Sequence, residues 1–151
     1  MQQIARNSLF FWVLLVAAAL GGCHYYTETI PEKDTEDPLI GIWTLVAMQR
    51  PGAAEERVAP EPPYTLEFAT SSRLAGRADC NRYFGGYEAD KGRIKVLAVG
   101  ATRAACPPES ISDEFLKMVG AATQYEIRNA QLRLSGADGS ALAFVRQEAL
   151  R

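Results

Sequence analysis

The sequence predicts a mostly β, α+β fold: a partly open antiparallel β-barrel or curled sheet of about seven or eight short strands, with one helix packed across it. Three observations lead there. Between Trp43 and Val145, apolar and polar residues alternate at period two in short runs. Tight-turn residues such as Asp90-Lys91-Gly92 and Asn129-Ala130 separate the runs. Only one segment changes to helical spacing, with Ile111, Phe115, Met118, Val119 and Ala122 on a single face.

The first strand falls within Leu39–Ala47, where Trp43 and Leu45 alternate with Thr44 and Val46 and Trp43 faces the core. Arg50 to Pro63 carries Pro51, Pro60, Pro62 and Pro63 and reads as a long surface loop. Tyr64–Phe68 alternates and is a strand, Ala69 to Ser72 turns the chain, and Arg73–Gly76 leads into a corner. A strand then runs from Phe84 to Glu88 and another from Arg93 to Leu97. The helix follows Pro107-Pro108, with Ser110 placed to cap it and Asp113 and Glu114 in its first turn; it is expected to end near Ala122 or Thr123. Gln124–Arg128, Gln131–Ser135 and Ala141–Val145 complete the strands, joined by Asn129-Ala130 and by Gly136–Gly139.

Composition narrows the function. The chain of 151 residues holds 16 basic and 18 acidic side chains, so it lacks the excess positive charge that nucleic acid demands. Its single histidine, His24, leaves no partner for a Cys or Ser nucleophile in the folded part, and too few nitrogen and sulfur ligands for zinc. No metal site, catalytic residue or cofactor is expected. Carboxylates such as Asp79, Glu88 and Asp113 show no spacing that separates them from a solvated surface.

The N-terminus reads as an address. Arg6 precedes the apolar run Leu9–Leu20, which is shorter than the roughly 20 residues a membrane-spanning helix needs. Leu20-Gly21-Gly22-Cys23 is similar to the bacterial lipobox, so residues 1–22 are expected to be a cleaved signal peptide and Cys23 to carry lipid. By the rule that reads the next position, His24 in place of aspartate favours the outer membrane, facing the periplasm. Residues 23–38 are polar and acidic, with Pro31 and Pro38, and read as a tether; the folded domain is expected over 39–146.

The chain is organised around Gly76–Tyr87, which packs Cys80, Asn81, three aromatics and three glycines into twelve positions. Such glycines mark either positive φ or a close backbone approach. The aromatics are expected to be buried, and Asn81 to be a turn residue bonding its own backbone. Ala101–Pro107 answers this stretch and also contains a cysteine, Cys106. In an oxidising compartment, with Cys23 taken by lipid, Cys80 and Cys106 are left as an even pair and read as a disulfide; the alternative is two buried free thiols. Arg77, Arg82, Arg93 and Arg103 cluster around the motif and suit an anionic group, although Arg103 paired with a nearby carboxylate is the simpler expectation.

Four blocks in order, Gly41-Ile42-Trp43-Thr44-Leu45, Cys80–Tyr87, Thr102–Pro107, and Glu114-Phe115-Leu116 before Tyr125-Glu126-Ile127, resemble the META domain, the HslJ-like family of bacterial envelope proteins. Asp79 stands where that family usually has glycine, and Ala104 where it has methionine. The resemblance implies a small barrel crossed by a helix, often lipid-anchored, with no established enzymatic activity and with links to heat shock and novobiocin resistance. Its motif positions here are Asn81, Tyr83, Gly86, Tyr87, Thr102 and Arg103, structural or binding. The expectation is a monomeric, non-enzymatic lipoprotein of the envelope acting in stress tolerance, with an envelope protein or lipid as partner. The alternative is a carrier or secretion pilot that holds a lipid or peptide in a barrel crevice, by analogy of fold.

Overall fold

The structure, a computed structural model, describes residues 37–147. The signal peptide expected over 1–22, Cys23, His24 and nearly all of the tether lie outside the described residues.

Ten antiparallel strands and one helix make up the described part. They are β1 (Gly41–Gln49), β2 (Glu55–Arg57), β3 (Thr65–Ala69), β4 (Arg73–Ala78), β5 (Asn81–Asp90), β6 (Arg93–Val96), β7 (Gly100–Ala101), α1 (Ser112–Gly120), β8 (Ala122–Arg128), β9 (Gln131–Gly136) and β10 (Ala141–Arg146). Eight of them form a ring in the order β10-β9-β8-β6-β5-β4-β3-β1, and β1 closes it on β10. Closure removes the exposed sheet edges that would otherwise invite pairing with another chain. β2 and β7 are short additions, paired with β1 and β5 respectively.

Turn chemistry sets the registers. The β5–β6 and β8–β9 hairpins have two-residue connections in which both residues take positive φ, Lys91 and Gly92 in one, Asn129 and Ala130 in the other. That backbone matches the right-handed twist of paired strands. β1 serves three neighbours: its first half pairs with β3, its second with β2, and it pairs with β10 almost throughout, across a register shift between Leu45 and Ala47.

The barrel is filled by its own side chains. Trp43, Leu66, Leu74, Tyr83, Leu132 and Phe144 are buried from successive strands, and α1 drives Phe115 among them. The Phe115 ring meets Tyr64, Tyr83 and Phe144 edge-on at 5.3, 5.9 and 6.3 Å between centroids. Edge-to-face contact of this kind adds to the burial of each ring. The bidentate pair from Arg50, just past β1, to Glu114 (2.8 and 2.9 Å) ties the helix to the wall.

Several boundaries differ from the sequence expectation. The Arg50–Pro63 loop contains β2, whose three exposed residues carry no apolar alternation. The corner lead-in is a full strand to Ala78, and the next strand begins at Asn81 rather than Phe84. The helix stops at Gly120, where the Ala121 amide bonds back to the Lys117 carbonyl, and Ala122 keeps its buried position as the first residue of β8. Ile111, not Ser110, takes the N-cap position, while the Ser110 hydroxyl accepts from the Ser112 amide one step further in (3.3 Å).

Candidate functional site

The β4–β5 hairpin and the segment after β7 form the motif region. β4 and β5 pair from Arg73↔Gly86 to Ala78↔Asn81, so Asp79 and Cys80 alone connect them. Asp79 turns the chain with φ +57. Aspartate tolerates this left-handed region better than most residues, which explains both the glycine usual here and the aspartate that replaces it.

The motif glycines act by close approach and not by positive φ. A β-carbon on Gly76 would lie 2.0 Å from the Thr65 carbonyl oxygen and 2.6 Å from the Tyr83 hydroxyl. On Gly85 it would lie 2.8 Å from the Ala98 carbonyl oxygen. Gly86 is more permissive: its nearest neighbour would be the Leu97 Cδ1 at 3.1 Å, the end of a flexible side chain.

Asn81 is the hub. Its side chain is buried and does not bond the backbone of its own turn; apart from a contact of Nδ2 with the Cys80 sulfur (3.4 Å), it reaches across to the second segment. Its Oδ1 accepts from the Thr102 hydroxyl (2.9 Å) and the Ala104 amide (2.8 Å). Its Nδ2 points at the Cys106 sulfur at 3.1 Å. Thr102 repeats the tie one residue along, since its Oγ1 accepts from the Arg82 amide (3.1 Å) and its own amide donates to the Arg82 carbonyl (2.9 Å). The disulfide between Cys80 and Cys106 closes the arrangement, with Cα atoms 5.5 Å apart. The structure thus supports the disulfide over two free thiols.

β5 divides its side chains by parity. Asn81, Tyr83 and Tyr87 point inward and are buried, while Arg82 and Phe84 are exposed. The expectation that the motif aromatics are buried therefore fails for Phe84, which is 65% exposed. The Tyr83 hydroxyl donates to the Thr65 carbonyl (2.7 Å), and burial pushes its pKa well above the usual phenol value. The Tyr87 hydroxyl donates to the Ala69 carbonyl (3.1 Å); burial raises its pKa, with the Asp37 carboxylate and Tyr125 adding to the shift.

The arginines do not converge on one point. Arg103 is exposed and forms no ion pair with a described residue, so the expected carboxylate partner is not found. Arg93 lies 3.7 Å from Asp90 at the far end of β5. Arg77 and Arg82 face each other across β4 and β5. Among the described residues, no group of three or more histidine, cysteine or carboxylate side chains comes together to hold a metal ion.

With this geometry in view, comparison with known families matches residues 37–149 to the META domain. The chain belongs to the META domain family. The match spans the whole of the described barrel, including the Asn81 hub and both cysteines of the disulfide. An NMR structure of a protein from Burkholderia xenovorans is 28% identical, with a TM-score of 0.61 over 72% of this chain and 83% of that one. A DUF4847-family protein from Bacteroides vulgatus (15% identity, TM-score 0.54, 72% and 94% covered) and a lipocalin-like protein from Bacteroides uniformis (19%, 0.51, 73% and 99%) share the fold. No curated protein matches the chain.

One concavity adjoins the META motif, a cleft of about 310 Å³ at the barrel rim. Val58, Pro60, Tyr64 and Ile111 contribute apolar wall, and Asp79 and Glu109 acidic groups. Sequence reading missed it, because its walls come from the loop before β3 and the segment leading into α1. It missed Thr65 as well, whose carbonyl and hydroxyl serve Tyr83 and the Arg77 amide. No local pattern announces either one.

Proposed function

We propose that this META-domain protein is a lipid-anchored, non-enzymatic component of the bacterial envelope, active in stress tolerance as a rigid, disulfide-locked body. The observation that carries the reading is the state of the motif's polar groups. Asn81 and Thr102 spend their side-chain bonds inside the domain, joining two segments. A catalytic or ligand-binding motif instead keeps polar groups turned toward a cavity. The Leu20-Gly21-Gly22-Cys23 sequence supports anchoring at Cys23, and His24 supports the outer membrane. Two experiments test this. Labelled fatty acid is expected to enter the wild-type protein and not Cys23→Ala, and equal labelling of both would reject the anchor. A deletion strain is expected to be sensitive to heat or envelope-directed antibiotics, rescued by the wild type and not by Cys23→Ala.

The rim cleft favours a second reading, a carrier or secretion pilot. With the barrel interior filled by Phe115 and its neighbours, a carried lipid fragment or peptide would lie in this cleft. Native mass spectrometry of the protein extracted from membranes separates the two: a stoichiometric co-purifying ligand favours the carrier, and a bare mass the rigid body.

A further inference from the structure

The outward parity of the motif strand has a different character from the inward one. Cross-strand register places Ile42, Glu67, Ala75, Phe84 and Gly100 in one row across β1, β3, β4, β5 and β7. The next row toward the β4–β5 turn holds Thr44, Thr65, Arg77 and Arg82. The row on the other side holds Ala69, Arg73 and Gly86, with Leu97 beside Gly86. Ile42, Phe84 and Leu97, at 40, 65 and 40% exposure, are the exposed large apolar side chains of the described residues, and all three belong to this one face.

Arg73, Arg77 and Arg82 surround them, against a single carboxylate, Glu67, within the same rows. In a chain that is acidic overall, this face is locally basic. None of the three guanidinium groups forms an ion pair with a described carboxylate. The described chain also enters the domain at this face: β1 begins at Gly41, and its next residue, Ile42, pairs with Glu67 in the central row. The fourteen residue steps from Cys23 to Asp37 reach at most about 50 Å when fully extended.

We propose that this outer face of β1, β3, β4 and β5 docks on an anionic phospholipid surface. Arg73, Arg77 and Arg82 meet the phosphates, and Phe84 and Leu97 enter the headgroup–acyl boundary. The chemistry favours a bilayer over a protein partner. Arginines around exposed aromatic and aliphatic side chains match a plane of phosphates above hydrocarbon, and the chain enters the domain at the edge of this face. The proposal rests on the lipid-anchor reading for its geometry, and the test keeps the two separable.

The full chain carrying Phe84→Trp is purified from membranes and mixed with vesicles whose acyl chains bear bromine near the headgroups. The vesicles are either phosphatidylcholine alone or a phosphatidylglycerol mixture. The introduced indole is expected to be quenched on the phosphatidylglycerol vesicles, and far less at 0.5 M salt, where the field is screened within about 4 Å. Glu126→Trp, on the outside of β8, is expected to stay unquenched. Leu97→Trp gives a second reporter should Phe84→Trp perturb folding. Neutralising Arg73, Arg77 and Arg82 together to glutamine is expected to weaken the docking by about tenfold or more, since each basic residue near an anionic surface adds severalfold. The protein's mass reads lipidation independently, so a lipidated protein without quenching overturns the docking and leaves the anchor standing. Quenching equal at Phe84→Trp and Glu126→Trp, or equal on both vesicle types, also overturns it. An unquenched Phe84→Trp indole on anionic vesicles overturns it too and leaves the face to a protein partner.

Discussion

Two joints of the sheet contrast sharply, one where β5 meets the segment after β7 and one where β6 meets β8. Where β5 meets the segment after β7, side chains reinforce the backbone: Asn81 holds Thr102 and Ala104, Thr102 holds Arg82, and a disulfide spans the gap. Where β6 meets β8, Arg93↔Gln124 is the one Cα pair in register, supported by the Tyr125 amide on the Gly92 carbonyl (2.8 Å). Both joints flank the same excursion, in which the chain leaves the sheet after β7, forms α1 and returns as β8. Leaving the sheet interrupts the ladder, and a covalent and polar clamp holds the departing end. The returning end is held by α1, whose Phe115, Met118 and Val119 are buried against the barrel. The motif therefore compensates for an interruption in the barrel.

The largest effect that would break this picture is steric. Gly76→Val is expected to cost more than about 4 kcal/mol or to abolish folding, because its new atoms meet the Thr65 backbone and the Tyr83 ring rather than a movable side chain. Urea unfolding reads it. Gly86→Val is expected to be much milder, since Leu97 can turn away.

Removing the crosslink comes next. Replacing Cys80 and Cys106 together by serine is expected to cost about 3.5 kcal/mol on the chain-entropy account, read as a lower urea midpoint. Loss of much less would mean that the Asn81 bonds alone hold the joint.

Hydrogen exchange sharpens the contrast directly. The Thr102 amide is expected to exchange about tenfold or more slowly than that of Tyr125, because opening the clamped joint disrupts more contacts. Reduction of the disulfide is expected to narrow that gap.

The smallest effect lies away from both joints. The Ser140 hydroxyl and amide donate to Asp138 (2.5 and 2.9 Å) and hold its carboxyl below the usual range. A folded-state pKa below the unfolded one gives stability that is present above the ordinary carboxylate range, about pH 4, and is lost as pH falls through the folded value. Asp138→Asn is expected to remove this acid dependence, lowering the midpoint slightly at neutral pH and leaving it unchanged once the carboxyl is protonated.

Much of the fold was legible because its signals are local. Period-two runs marked the barrel strands, Lys91-Gly92 and Asn129-Ala130 marked two hairpins, and the Ile111–Ala122 spacing marked the helical face. β2 was hidden because its pairing is set by the free second half of β1, not by its own Glu55-Glu56-Arg57. The pair Cys80 and Cys106 was legible from cysteine arithmetic. The role of Asn81 was not, because an asparagine beside a hairpin normally bonds its own turn. Its parity with Tyr83 and Tyr87 was the available sign that it points inward. The same parity separates Phe84 from those tyrosines, so one strand carries a clamp on its inner side and an exposed face on its outer side.

That division gives the most direct test of whether the motif is a clamp. Urea unfolding of Asn81→Ala and Arg82→Ala, neighbours on opposite sides of β5, should be measured side by side. Asn81→Ala is expected to lose about 1 kcal/mol or more, because it removes the bonds that its Oδ1 accepts from the Ala104 amide and the Thr102 hydroxyl, while Arg82→Ala stays within about 0.5 kcal/mol of the wild type. An Asn81→Ala protein as stable as the wild type would contradict the account.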